Sequence, residues 1–116
     1  MNMEHCLFCR IIKGEVKGDI VHQDEKVVAI KDINPQAPVH LLLMPRKHIA
    51  TLLEVAPEDA ELVGRILLAA GRLAEAHDLD RDGFRVVANC GSGAGQSVYH
   101  IHFHLLGGRP MRWPPG

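Results

Sequence analysis

The chain has no apolar run approaching the roughly 20 residues that a membrane-crossing helix needs, and no association with a membrane is expected. Its first residues, Met-Asn-Met-Glu-His-Cys, lack the basic and then apolar stretches of a secretory signal. A cytoplasmic location is therefore expected. Charge of either sign is not in excess: 13 Lys and Arg stand against 14 Asp and Glu, a net charge of -1. That offers no electrostatic footprint for nucleic acid or an anionic surface, so a small ligand is the better expectation. Cysteines number three, which argues for thiols or metal ligands over a disulfide framework. Cys6 and Cys9 form a Cys-x-x-Cys pair, and Cys90 is left over as a free thiol. Cations are missing altogether from residues 86–108. A phosphate bound there must be held by backbone amides, hydroxyls and imidazoles, which favours one phosphoryl group over a long polyphosphate.

What the chain has instead is histidine. His100, His102 and His104 alternate with Ile101, Phe103 and Leu105, the period of a β-strand whose side chains point to opposite faces in turn. The three imidazoles should share one face while the apolar residues enter the core. At about 3.3 Å per residue, the Cα atoms of His100 and His104 lie roughly 13 Å apart. Two neighbours could share one metal; three cannot, so the outer two must do different jobs.

The remaining elements read in chain order. Residues 6–13 place Leu7, Phe8, Ile11 and Ile12 at helical spacing before Gly14, a short amphipathic helix. Phe8, one of only three phenylalanines, is the best candidate there for contact with a flat ligand. Residues 20–23 and 27–31 read as a hairpin about a polar turn. Asp32 follows, suited either to a sugar diol or to starting the turn through Asn34 and Pro35. Residues 39–44 read as a central strand, because Leu41, Leu42 and Leu43 imply burial on both faces; His40 opens it and His48 lies beyond it. Residues 57–77 read as the one long helix, with Pro57 at its start and an apolar stripe that includes Ile66, Leu67, Ala70 and Leu73. Gly64 and Gly71 each cost about 1 kcal/mol there, so a close contact is expected to require them. Residues 84–88 form another strand. The result is one α+β domain over residues 1–116, an antiparallel sheet of about five strands with one long and one short N-terminal helix.

Between the strand at 84–88 and the histidine strand runs Asn89-Cys90-Gly91-Ser92-Gly93-Ala94-Gly95-Gln96-Ser97. Its glycines let the backbone approach a ligand and turn N–H groups toward an anion. It is not a Walker loop, since no Lys-Ser/Thr pair follows and the next element is a strand.

The run His100-Ile101-His102-Phe103-His104-Leu105-Leu106 resembles the histidine triad signature. So do residues 32–40 (Asp-Ile-Asn-Pro-Gln-Ala-Pro-Val-His), Pro45-Arg46-Lys47-His48, Gly95-Gln96-Ser97-Val98-Tyr99 and the ending Trp113-Pro114-Pro115-Gly116. Together they look like the histidine triad nucleotide-binding (Hint) branch across nearly the whole chain. The resemblance implies a homodimer whose sheet continues across the interface. It also implies a phosphoramidase hydrolysing purine nucleoside 5'-phosphoramidates through a nucleotidyl-histidine. His102 is then the nucleophile, Asp32 binds ribose, and Leu7, Phe8, Ile11 and Ile33 bind the base. Asn89, Gly95, Gln96, Ser97, Val98 and His104 surround the phosphate or leaving group, with His40 behind them as a proton relay. The amine's proton comes from Ser97 or His40, and no metal is required for catalysis.

Some histidine triad proteins, and the related galactose-1-phosphate uridylyltransferases, carry a similar cysteine pair with two distant histidines. The matching positions are Cys6, Cys9, His48 and His100, a structural zinc site of Cys2His2 type, with His5 as a competing ligand. Other readings are a non-catalytic nucleotide-binding or partner-binding module, a zinc hydrolase built on His100 and His102, and a dinucleoside polyphosphate hydrolase.

Overall fold

The structure, a computed structural model, describes residues 3–116. A 3-10 turn at Met3–His5 leads into helix α1, Leu7–Ile12. Cys6 caps the helix: its sulfur accepts from the Cys9 N–H at 3.4 Å. Strands β1 (Ile20–Gln23) and β2 (Val27–Lys31) then form a hairpin. The Asp24 carboxylate makes its turn by accepting from the N–H groups of Lys26 and Val27, both at 2.8 Å. Strand β3 spans Val39–Pro45, β4 Phe84–Ala88 and β5 Phe103–Gly107. The sheet order is β1-β2-β3-β5-β4, antiparallel throughout, with β3 at the centre as its run of leucines requires.

Helix α2, Ala60–Ala76, follows a 3-10 turn at Pro57–Asp59, so the expected helix over residues 57–77 begins as the tighter form. Asp59 anchors that entry, accepting from Ala56 N–H at 3.0 Å and from Lys47 Nζ at 2.6 Å.

Alternation along the strands gives the sheet two buried faces. On one, Val27, Ala29, Leu41, Leu43, Phe103 and Leu105 pack against Ile66, Ala70 and Leu73 of α2. On the other, Val28, Ile30, Leu42 and Met44 pack against Phe8, Cys9 and Ile11 of α1. The second face carries the histidines, and α1 roofs part of it.

Three expectations change. The histidine stretch is a ladder strand only from Phe103; residues 97–102 lie outside the sheet. Pro45, which has no N–H to give, ends β3 two residues past the Leu43–Phe103 pair. The Ile101 N–H bonds instead to Ile49 O at 2.7 Å. The alternation nevertheless persists, since Ile101, Phe103 and Leu105 are buried. Leu67 does not join the core stripe; it is 49% exposed. Finally, Gly64 and Gly71 meet nothing within 4 Å, so no contact inside the chain requires them. At about 100° per residue they share the outer face of α2 with Leu67 and Leu68, opposite Ile66 and Leu73.

Candidate active site and metal centre

The chemistry starts at His100, which is wholly buried. Its Nε2–H donates to Pro45 O at 2.7 Å, leaving a lone pair on Nδ1. That Nδ1 lies 3.4 Å from Cys6 Sγ, 3.5 Å from Cys9 Sγ and 3.3 Å from His48 Nδ1, and Cys9 Sγ lies 3.4 Å from His48 Nδ1. With metal–nitrogen bonds of about 2.0 Å and metal–sulfur bonds of about 2.3 Å, a tetrahedron has edges of about 3.3 Å between nitrogens and about 3.5 Å from nitrogen to sulfur. The four donors therefore stand at the corners a metal ion would require. Burial and the adjacent Cys6 push the Cys9 thiol up to about 11, a cost that a bound cation reverses. His5 is exposed and stands outside this cluster.

The backbone of the same residue sets the next histidine. His102 Nδ1–H donates to His100 O at 2.8 Å, so the neutral ring keeps its lone pair on Nε2. Phe8 packs edge-on against His102, centroids 5.0 Å apart at 89°, and fixes the ring's plane. Phe8 is thus buried beneath the histidines, whereas Leu7 is 44% exposed and Ile33 fully so. Ile11 is buried beside Phe8, and Val98 packs partly buried against the same cluster.

A second tautomer chain fixes His104, whose ring centroid is 5.1 Å from that of His102. The N–H of Gln36 donates to His40 Nδ1 at 3.0 Å. Neutral His40 must then carry its proton on Nε2, which donates to His104 Nδ1 at 2.9 Å. His104 is left with Nε2–H as a donor beside His102. Asp32 Oδ2 lies 3.3 Å from His40 Nε2, and its Oδ1 accepts from Asn34 N–H at 2.8 Å. Asp32 therefore starts the turn and also supports His40. Asp32, His40 and His104 converge closely enough to suggest a cation. The proton on His40 Nε2 rules against it, because a metal needs that lone pair.

The glycine loop joins these elements by way of Gln96. Its Oε1 accepts from Gly91 N–H at 2.9 Å, and its Nε2 donates to Ala50 O at 2.8 Å and Val98 O at 3.1 Å. The carboxamide is spent on holding the loop. Asn89 is half-buried, and its Nδ2 would lie 3.9 Å from a Cβ placed on Gly95 (φ +95°). Ser97 is exposed, and its hydroxyl has no partner among the described residues.

The groups that motif reading missed are backbone ones: the carbonyls of Pro45 and His100 and the N–H of Gln36. Only the Pro35 and Pro38 bend gave any signal of the last.

Burial holds His40, His102 and His104 below the ordinary histidine value, against the pull of Asp32; His104 falls from 6.5 to about 4 because the imidazoles of His102 and His40 add to its burial. The unfolded chain takes up a proton at position 104 near pH 6.5 that the folded chain refuses until about pH 4. The stabilisation is therefore complete above 6.5 and is lost as pH falls toward 4. Thermal unfolding midpoints should drop across that window, and His104→Asn should drop less over the same interval; parallel curves would refute the assignment.

With the geometry in place, comparison with known proteins gives a uniform result. The family model described as "Scavenger mRNA decapping enzyme C-term binding" matches residues 5–112. The purine nucleoside phosphoramidase of Escherichia coli is 44% identical over 108 residues, 93% of this chain and 91% of the relative. An uncharacterised HIT-like protein of Synechococcus elongatus is 46% identical over 113 residues, 97% and 98% of the two chains. The crystal structure of a HIT family hydrolase from Legionella pneumophila superposes with a TM-score of 0.95 at 54% identity, covering 97% of this chain and 100% of that one. A histidine triad protein from Clostridium difficile gives 0.91 at 38%, with 97% of each chain covered. The chain belongs to the matched family and, with it, to the histidine triad (HIT) superfamily.

Proposed function

We propose that this chain hydrolyses the P–N bond of purine nucleoside 5'-phosphoramidates through a nucleotide covalently held on His102. The observation that carries this reading is the pair of fixed tautomers: His102 offers a lone pair at Nε2, and His104 offers a proton at Nε2 next to it. The kinship with the Escherichia coli phosphoramidase supports the substrate class.

His102 Nε2 attacks phosphorus, and the P–N bond to the amine breaks. Positive charge develops on the ring and is offset by the His100 carbonyl, which already accepts its Nδ1–H. His104 Nε2–H and the loop amides meet the negative charge on the nonbridging oxygens. The departing amine takes a proton from Ser97, whose hydroxyl is exposed; His40 is bonded behind His104 and supports that ring instead. Water then attacks phosphorus and gives its proton to Ser97, restoring the hydroxyl, as the bond to His102 breaks and the nucleoside monophosphate is released. Splitting one displacement in two is the gain of covalent catalysis. Asp32 binds the ribose hydroxyls, the exposed Leu7 and Ile33 flank the base with Phe8 and Ile11 beneath, and Asn89, Gly95 and Val98 line the phosphate around the Gln96 brace.

Zinc is the proposed occupant of the Cys6, Cys9, His48 and His100 cluster, since a closed set of two sulfurs and two imidazoles is its usual structural coordination. His102 is no part of that set, which counts against a zinc hydrolase using His100 and His102. When bound, the ion supplies a cross-link between α1, the segment after β3 and the histidine stretch.

A homodimer is proposed as well. Strand β4 is an open edge, and Gly64, Leu67, Leu68 and Gly71 give α2 an outer face that a second copy could approach closely. The reading places the chain in the cytoplasm; no helix among the described residues is long and apolar enough to cross a membrane.

Four measurements test these points. Base-quenched mixtures of protein and an adenosine phosphoramidate should show an AMP adduct on His102 by mass spectrometry. His102→Ala should reduce turnover by on the order of 10³-fold while AMP still binds; turnover near that of the unaltered chain would sink the mechanism, and a chain inert toward every phosphoramidate would favour the binding module. Protein purified without added zinc should contain about one zinc per chain, and chelation should lower its unfolding midpoint; metal-free protein of unchanged stability would end that assignment. Light scattering should give twice the chain mass, falling to one chain in Leu68→Glu, and a monomeric unaltered chain would remove the dimer.

A further inference from the structure

Strand register carries the histidine face sideways onto β4. Val87 pairs with His104, and Arg85 with Leu106. Opposed residues of an antiparallel pair project from the same face. Arg85 and Val87 therefore continue the surface on which His104 stands, away from α1. Here the chain after β5 folds back, and a groove of about 310 Å³ opens, lined by Arg85, Val87, Leu106, Arg109, Met111 and Arg112.

The groove's charged side chains have one sign, and Pro114, Pro115 and Gly116 complete its lining. No Asp or Glu side chain lines it, and among the described residues none of its three arginines makes an ion pair, whereas Lys31, Lys47 and Arg65 each do. Most of its guanidinium donors are also unspent. Arg85 gives one Nη2 bond to Arg112 O at 2.8 Å; Arg109 gives Nε to Gln36 O at 3.0 Å and Nη1 to Pro110 O at 3.1 Å. Arg112 makes no side-chain bond among the described residues. Since residues 86–108 contain no Lys or Arg, these are the cations next along the face from the phosphate site.

The order of strands turns this into a direction. Asp32 follows β2, His40 lies on β3, His104 on β5 and Arg85 on β4. With the nucleoside held on the β2 side and phosphorus between, the β4 side is left for the departing amine.

We infer that this groove is a leaving-group subsite that selects amines bearing a carboxylate, with Arg85 and Arg112 as its specificity-determining residues. The inference rests on the phosphoramidase reading and names the substrate class that reading leaves open. Guanidinium forks match carboxylate geometry. Leu106, Val87 and Met111 supply an apolar wall for a short methylene chain, and the volume suits a group the size of an amino acid. Arg109 is tied by Gln36 O to the residue whose N–H sets His40, so it holds the groove to the relay.

The test compares two adenosine phosphoramidates, one made from 4-aminobutyrate and one from its amide, which present nearly the same amine to phosphorus and differ in the distal charge. The unaltered protein should prefer the acid in kcat/KM by about tenfold, a modest figure because the arginines are exposed. That preference should shrink as salt is raised. In the Arg85→Ala, Arg112→Ala double variant the ratio of acid to amide should fall toward one, while Arg65→Ala, on α2 across the sheet and paired with Glu25, should keep the unaltered ratio. A ratio near one in the unaltered protein, with the amide turned over, overturns the subsite and leaves the phosphoramidase standing, as does a preference that survives the double variant. If neither compound is hydrolysed, the phosphoramidase reading fails and the subsite falls with it.

Discussion

The interaction on which the rest depends is the use of His100 in two directions at once. Its ring is pinned by Pro45 O on one side and faces two sulfurs and another imidazole on the other, so the residue has almost no freedom of rotation. Its carbonyl is therefore a fixed acceptor, and it is that acceptor which decides the tautomer of His102. A neutral imidazole free to choose would divide its proton between two nitrogens. Here burial removes water as a competing acceptor, and the carbonyl leaves only one arrangement in which no polar atom is stranded. Placing the Cys/His cluster and the tautomer of His102 two residues apart makes the same short segment responsible for both.

The two-faced sheet supplies the environment that this arrangement needs. One face is sealed by α2 and carries ordinary aliphatic packing. The other is only partly roofed by α1, which makes it dry enough to hold the imidazoles neutral yet open toward the glycine loop. Phe8 serves both ends of that compromise, joining the core with Val28 and Met44 while its ring edge meets His102. An exposed row of histidines on a flat strand would have offered neither the lowered proton affinity nor a single ring orientation.

Much of this was legible in the sequence, because the signals were periodic. Alternation marked the histidine stretch, short apolar runs bounded by turns marked the other strands, and the run of three leucines identified β3 as central. The separation between His100 and His104 argued for different roles, and the two residues fall in two distinct side-chain clusters. Less legible was where the ladder stops, since that depended on Pro45 of a neighbouring strand and not on the histidine stretch itself. Gly64 and Gly71 misled because a helix glycine signals only that something needs room, not which molecule brings it. Gln96 was placed near the phosphate by the family resemblance alone, and nothing in the sequence signalled that its carboxamide also braces the backbone at Gly91, Ala50 and Val98. Backbone acceptors and donors leave no letter in a sequence, so the groups that fix the tautomers could be found only once the chain was folded.

The second tautomer chain extends the argument from geometry to the kind of chemistry the site can perform. A backbone N–H cannot change its role with pH or ligand, so Gln36 commits His40 Nδ1 to accepting, His40 Nε2 to donating, and His104 Nδ1 to accepting in turn. The consequence appears two imidazoles away, as a proton held on His104 Nε2 without any charge on the ring. Had Gln36 presented a carbonyl there, His40 would hold its proton on Nδ1, and its Nε2 would join Asp32 and His104 as a ready set of metal ligands. One peptide orientation thus separates a neutral hydrogen-bond donor from a metal-binding triad built of the same side chains.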